Sequence, residues 1–218
     1  DPNSKTCYIV DLKTLLNSRK FVSDEQFRYS SEVLPTSDLC LLDDNRYIGY
    51  HMWYLDDKQF SKVDSPLGYY QKGEDSGKGM DDFPFFVASV NGARLFKNPQ
   101  TQELWTADMH RDAIRIYNDS LKQIRELVGP DHFSPEYTRR QIDAPVAFVT
   151  FADECDYHAY TDYYITDKHI YLVYEGNKHF DMKNLSPVEI FKLDFDGNLL
   201  CNYKLCLLYT SDAADDLT

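Results

Sequence analysis

The chain lacks the motifs by which most enzymes and membrane proteins can be recognised. It contains no run of about 20 apolar residues, the length that a membrane-spanning helix needs. Its five cysteines include no C-x-x-C pair, and there is no G-x-S-x-G nucleophile elbow. The segment that comes nearest to a phosphate-binding P-loop, Gly73–Gly79, is one residue short and has no Ser or Thr after Lys78. We therefore expect no metal, no cofactor and no catalytic residue that a motif could identify.

Positive charge is also scarce. The 23 Lys and Arg residues are outnumbered by 36 Asp and Glu residues, which gives a formal net charge of −13. Proteins that bind nucleic acid or anionic membranes concentrate Lys and Arg on one face. The sequence therefore predicts no nucleic-acid partner, no attraction to an anionic membrane surface and no transmembrane segment.

Aromatic residues, in contrast, are abundant, with 17 Tyr and 13 Phe among 43% hydrophobic residues. Aromatic side chains favour strands. The clearest local pattern is a hairpin of two strands, 189–194 and 198–205, joined by a turn in which Asp196 precedes Gly197. Glycine supplies the positive φ that a tight hairpin turn requires.

The same order of strand, Asp or Asn, turn and strand occurs three more times, beginning at Cys7, Gln59 and Ala113. Such a repeat at intervals of roughly 50–75 residues is typical of a radial β architecture. The predicted strands are a pair within 5–22, then 37–42, 46–51, 59–64, 69–72, 93–96, 103–109, 113–118, 121–127, 142–151, 161–166, 169–174, 189–194 and 198–205. A weak helical period at 119–128 is better explained as a strand.

These strands predict an all-β protein, a β-propeller of four-stranded antiparallel blades. We expect six blades in the whole propeller, of which residues 1–205 hold about three and a half, and we interpret these residues as a partial propeller domain. Cys206–Asp215 can be encoded by codons that resemble a sequencing adapter, so we interpret residues 206–218 as a translated adapter and exclude them from the fold.

Two stretches carry a resemblance to a known family. They are Tyr160–Gly176, with Thr-Asp-Lys-His-Ile-Tyr at its centre, and Glu189–Asn198. They resemble the TolB-like six-bladed β-propeller proteins of bacteria, many of them lipoproteins, although Phe195 stands where Trp is common in that family. The resemblance implies export as a periplasmic or outer-membrane-anchored lipoprotein, with a signal peptide and a lipid-bearing Cys upstream of Asp1. It supplies no catalytic motif.

Candidate binding residues lie in one acidic and aromatic segment. Asp153 and Asp156, with His158, have the residue types that chelate a divalent cation or form a carboxylate pair. Tyr160 belongs to a tyrosine cluster that could stack on a sugar, although strand alternation buries about half of such a cluster. We name Asp153, Asp156, His158 and Tyr160 as candidate ligand-binding residues, while a solvated acidic loop and core packing explain them without a ligand.

Two further clusters have simpler explanations. Asp131, His132 and Ser134 include the residue types of a catalytic triad, but triads are assembled from distant segments, so an ordinary polar loop is the better interpretation. Asp194–Asn198 spaces oxygen ligands as a calcium loop does but lacks the Glu that would close it. Turn chemistry explains that segment.

The sequence thus favours an exported, non-enzymatic propeller that binds an unknown ligand or protein partner at its central funnel. A rigid ring holds the loops of separate blades around one concave site. The alternative is a hydrolase or lyase on the same scaffold, with glycans as a candidate substrate class, that uses funnel carboxylates or a metal. A third hypothesis is a spacer or assembly platform.

Resequencing the source DNA without adapters tests this interpretation. We expect the reading frame to continue past Leu205 into further strand repeats and to contain a signal peptide with a lipidated Cys upstream. A frame that contains Cys206–Thr218 as genuine codons and then stops would contradict the closed propeller and would require a smaller, open β-domain.

Overall fold

The computed structural model describes residues 6–18, 25–30, 33, 38–43, 45–51, 65–73, 92–141, 147–151, 157–178 and 187–205. These residues form antiparallel sheets of two to four strands and one short helix. The chain divides into two compact units, Asp1–Ser89 (unit 1) and Val90–Thr218 (unit 2). The all-β prediction is confirmed for the described residues. The predicted strand 59–64 and the predicted adapter segment 206–218 lie outside them.

Unit 1 contains a strand pair and a three-stranded sheet. Its elements are β1 (Thr6–Ile9), α1 (Leu12–Ser18), β2 (Glu25–Arg28), β3 (Cys40–Leu41), β4 (Arg46–Tyr50) and β5 (Leu67–Gln71). β1 pairs with β2, and the other sheet has the order β3-β4-β5. A mostly aromatic core lies within the unit. In it the rings of Tyr47 and Tyr70 stack 5.4 Å apart, and the Ser30 N–H donates to the Tyr47 hydroxyl at 2.7 Å.

In the first strand pair, β1 covers the predicted strand that begins at Cys7, and its partner is Glu25–Arg28, with a helix between them. The predicted second strand of this pair, at 19–22, lies outside the described residues. Asp11 starts that helix, because its carboxylate accepts hydrogen bonds from the Thr14 N–H at 2.8 Å and from the Thr14 hydroxyl at 2.6 Å. Such an N-cap satisfies backbone donors that the first helical turn leaves free.

Unit 2 contains two four-stranded sheets and a separate strand pair. The first sheet is β6 (Ala93–Lys97), β7 (Leu104–Asp108), β8 (Ala113–Tyr117) and β9 (Gln123–Val128). The pair is β10 (Tyr137–Gln141) and β11 (Ala147–Phe151), and the second sheet is β12 (Tyr157–Ile165), β13 (Ile170–Lys178), β14 (Val188–Leu193) and β15 (Leu199–Leu205). All eight strands of the two four-stranded sheets were predicted, and β11 falls inside the predicted strand 142–151. β10 was not predicted.

The outer hairpins of the two four-stranded sheets are structural copies of each other. In the first sheet, Ile116 pairs with Arg125, and Tyr117 pairs with Gln123 across a bulge. In the second sheet, Lys192 pairs with Cys201, and Leu193 pairs with Leu199 across a bulge at the same place. Residues 113–128 and 189–204 therefore correspond one to one.

The turns of these two hairpins are built in the same way. Oδ1 of Asn118 accepts the N–H of Lys122 at 2.9 Å, and Oδ1 of Asp194 accepts the N–H of Asn198 at 2.7 Å. The residue before each donor has a positive φ, 58° at Leu121 and 86° at Gly197. The Asp194 carboxylate thus serves the turn, as the sequence predicted, and its hydrogen bonds with Asn198 lower its pKa.

The first and second sheets pack face to face through one apolar core. Its buried residues are Phe96, Trp105, Ala107, Ile114, Ile116, Ala159, Tyr160, Ile170, Leu172, Tyr174, Phe191, Leu193 and Phe195. Hydrogen bonds also join the sheets: the Ala159 N–H donates to the Met109 carbonyl at 2.8 Å, and the Asn98 side chain donates to the Phe195 carbonyl at 2.8 Å. Burial of apolar side chains and hydrogen bonds therefore both stabilise the packing of the two sheets.

Replacing Gly197 with Ala tests the geometry of the second hairpin. The new Cβ would lie 2.7 Å from Leu127 Cδ1 in a backbone conformation that L-residues rarely adopt. We expect Gly197→Ala to lower the free energy of unfolding of unit 2 by about 2–3 kcal/mol, measured by denaturant titration. Gly73→Ala is the control, because Gly73 has a similar φ of 83° and no atom of the described residues lies within 4 Å of its new Cβ, so the change should cost unit 1 only about 1 kcal/mol. Equal costs would contradict the close packing at Gly197.

Candidate functional site

The connections of unit 2 divide between two ends of the sheet pair. At one end lie the tight hairpin turns at 98–103, 118–122, 166–169 and 194–198. At the other end lie the β7–β8 turn, the β9–β10 connection and the start of β12. We call this the polar end and define it by His110, Asp112, Asp131, His132, His158 and Glu175.

A buried carboxylate, that of Asp112, organises the polar end. Asp112 is 1% exposed, and its Oδ2 accepts the N–H groups of Asp131 at 2.6 Å and His132 at 2.8 Å. Its Oδ1 accepts the hydroxyl of Tyr160 at 3.1 Å. Burial raises the pKa of Asp112, although the three hydrogen bonds act in the opposite direction.

Backbone hydrogen bonds also connect Asp112 to the β9–β10 connection. The Asp112 N–H donates to the Phe133 carbonyl at 3.1 Å, and the Gly129 N–H donates to the Asp112 carbonyl at 3.1 Å. A Cβ on Gly129 would overlap the Asp112 carboxylate. Glycine at this position therefore allows the β9–β10 connection to approach the β7–β8 turn.

Tyr160 and Tyr174 extend this network into the core. Their ring centroids lie 5.1 Å apart, and the Tyr174 hydroxyl donates to Asp131 Oδ2 at 2.6 Å. Tyr160 is almost fully buried. Burial, reinforced by the neighbouring carboxylates, raises the pKa of both phenols above their usual range, so both remain protonated donors.

Two imidazoles lie together at the half-exposed part of the polar end. The rings of His110 and His158 meet edge to face with centroids 5.2 Å apart. His110 Nδ1 lies 3.1 Å from the Tyr157 carbonyl, and His158 Nδ1 lies 3.6 Å from Glu175 Oε2. The pair thus combines hydrogen-bonding rings with an adjacent carboxylate at the surface.

The structure separates the predicted site residues. His158 lies at the polar end, whereas the Tyr160 ring lies in the core with its hydroxyl bound to Asp112. Asp153 and Asp156 lie outside the described residues, so their proposed role stays a prediction. In the described part of the chain, no three His, Cys, Asp or Glu side chains are grouped so that they could hold a metal ion.

The polar loop interpretation of Asp131–Ser134 agrees with the contacts of its first two residues. The Asp131 carboxylate accepts from Tyr174, and the His132 N–H donates to Asp112. The φ of His132 is 55°, an unusual value for a residue other than glycine. These contacts hold the loop in place.

A second network of charges lies on the opposite face of the first sheet. Asp108 Oδ2 accepts from Arg115 and, at 3.2 Å, from Arg111, and Arg115 Nε donates to Glu126 Oε2 at 3.1 Å. Asp108 and Arg115 are both buried. Arg115 alternates with Ile114 and Ile116 along β8, so the sequence pattern does place it on the other face, although sequence reasoning did not single it out.

A pocket of about 380 Å³ opens between the outer strands of the two sheets. Its walls are mostly apolar, and it reaches the polar end at His132 and Tyr160. The lining residues are Ile114, Leu127, Val128, Gly129, Pro130, His132, Tyr160, Phe191, Leu193, Gly197, Leu199 and Asn202. Tyr160, a predicted binding residue, thus contributes its ring to a pocket wall.

Comparison with known proteins adds no identification. No family model matches this chain, and no curated protein matches it. The resemblance to TolB-like propellers therefore stays a prediction from the quoted residues. No helix among the described residues is long and apolar enough to cross a membrane.

Replacing Asp112 with Asn tests whether this carboxylate holds the polar end together. The amide nitrogen of Asn would place donors among the N–H groups of Asp131 and His132, so we expect a loss of about 1–3 kcal/mol in the free energy of unfolding. Tyr160→Phe removes a single hydrogen bond and should cost about 1 kcal/mol.

The difference in stability between the wild type and Asp112→Asn should depend on pH. The pKa of Asp112 is raised on folding, so the native state keeps this proton to higher pH than the unfolded chain does. The contribution of this group to stability therefore falls as pH rises from about 4, its unfolded pKa, through the raised native value. Denaturant titrations across this range should show the wild type losing stability relative to Asp112→Asn. A constant difference would contradict the raised pKa.

Proposed function

We propose that this chain is part of a β-propeller that binds a ligand or protein partner at the polar end of unit 2. The supporting observation is that the outer hairpins of two four-stranded sheets correspond in register and that the two sheets pack face to face, with the β10–β11 pair between them in the chain. Four-stranded sheets of this kind, repeated around an axis, are the blades of a propeller.

A partly exposed face on the second sheet supports this proposal. The first sheet packs on the second through Phe96, Trp105, Ala107, Ile114, Ile116 and Leu127. By register and hairpin position, the equivalent side chains of the second sheet are Tyr164, Tyr171, Val173, Ile190, Lys192 and Tyr203. They face away from the first sheet, and Tyr164 is 68% and Tyr203 44% exposed. A further blade would cover this face as the second sheet covers the first.

The polar end is the surface that we propose for binding. The His110–His158 pair and Glu175 are partly exposed there, while the Asp112 network fixes the backbone beneath them. Loops held by a rigid scaffold are where binding residues commonly lie. The β7–β8 turn and the β9–β10 connection of the first sheet lie there, and the corresponding loops of successive blades would meet at the same end.

We also propose export with a lipid anchor. This part of the proposal is supported by the residues that resemble the TolB-like propellers, Tyr160–Gly176 and Glu189–Asn198, and by nothing in the comparisons.

Glycan and peptide arrays, probed with the labelled chain, test the binding surface. We expect bound spots whose signal falls at least tenfold in His110→Ala and in His158→Ala, because both changes remove imidazoles from the polar end. His169→Ala is the matched control, since His169 is a partly exposed histidine at the opposite end, beside Tyr171.

Binding that is unchanged in both polar-end variants, with all three proteins equally stable, would contradict this site. Chemical turnover of a bound glycan or peptide would instead favour the hydrolase or lyase alternative.

A further inference from the structure

The gap between the outer strands of unit 2 follows from how the two sheets meet. They approach most closely where β12 contacts β6 and β7, and hydrogen bonds join them there, from Arg94 Nε to the Thr161 carbonyl at 2.7 Å and from the Tyr163 hydroxyl to the Leu95 carbonyl at 3.3 Å. Strands of a sheet twist progressively relative to one another. Two twisted sheets that touch along their first strands separate toward their last, and the 380 Å³ cavity occupies that separation.

The walls of this cavity are suited to an apolar body. Ile114 and Leu127 contribute one wall, and Phe191, Leu193 and Leu199 contribute the other. The volume lies at the lower end of the range of about 300–1,000 Å³ that small-molecule sites occupy. It fits a single ring or a short branched chain rather than a large cofactor.

Polar groups lie at the end of the cavity near Asp112. His132 lines it, and the hydrogen bond from its N–H to Asp112 holds its backbone at a φ of 55°. Asn202 lines it too, and because its amide nitrogen donates to Glu189, its carbonyl oxygen is the group that can accept from a ligand. Unusual backbone conformations, such as the positive φ of His132, often occur at binding sites.

The charges around the cavity select among ligands. The carboxylates of Asp112 and Asp131 adjoin His132 and would repel an anion, whereas Glu189, beside Asn202, is paired with Lys204 at 3.0 Å. The apolar walls offer no compensation for the desolvation of a cation. We therefore propose that this cavity binds a small uncharged molecule with an apolar body and one hydroxyl or similar hydrogen-bonding group, which contacts His132 or Asn202. His110 and His158 are not among the residues that line the cavity, so the two proposals can be tested independently.

Titration of the chain with para-tert-butylphenol, followed by protein-observed NMR, tests this proposal. We expect saturable binding with a dissociation constant of about 0.1–1 mM, as suits a ligand of this size. The anion para-tert-butylbenzoate, which has nearly the same shape, should bind at least tenfold more weakly at neutral pH.

A matched pair of variants locates the site. Leu199 lines the cavity and is 58% exposed, whereas Leu200 is 51% exposed and does not line it. Leu199→Trp should fill the cavity mouth and weaken phenol binding at least tenfold, while Leu200→Trp should leave it within twofold of wild type. Absence of saturable binding, equal effects of the two variants or tighter binding of the benzoate would each overturn the proposal. Because both leucines are exposed, thermal unfolding should show that both variants remain folded.

Discussion

The carboxylate of Asp112 is a charge-bearing group buried inside unit 2, and the arrangement of the polar end depends on satisfying it. A buried carboxylate is costly unless donors surround it. Those donors come from the β9–β10 connection, through the N–H groups of Asp131 and His132, and from β12, through the Tyr160 hydroxyl. One side chain therefore fixes the positions of the β7–β8 turn, the β9–β10 connection and β12, which are far apart in sequence. The partly exposed His110 and His158 belong to two of these segments.

The two four-stranded sheets of unit 2 have the same backbone register in their outer hairpins, but the side chains on one buried face differ between them. Where the second sheet presents Tyr174 and Phe191 to the core, the first has Asp108 and Arg115 at the equivalent positions, paired with each other. A buried ion pair commonly gives no more stability than well-packed apolar residues of similar size. Stability alone therefore does not explain the departure from the repeat.

Local chemistry determined which elements could be predicted. The hairpins at Asn118 and Asp194 were predictable because each turn is built from its own residues, with a short side chain that accepts the backbone N–H groups. The helix after Asp11 was missed because only seven residues follow its cap and no apolar period of useful length exists. The site was less predictable: Asp112 and Tyr160 lie 48 residues apart, and no spacing rule connects them.

The bulges in β12 explain why the candidate residues were only partly interpretable from sequence. Alternation along a regular strand would place His158 and Tyr160 on the same face. The pairing of β12 with β13 instead shifts register between His158 and Tyr160 and again before Asp162. Because of these shifts, the Ala159 N–H is available to the Met109 carbonyl of the first sheet, which draws the start of β12 toward the β7–β8 turn. The same irregularity therefore joins the sheets, leaves His158 beside His110 at the surface and turns the Tyr160 ring toward the core and the cavity.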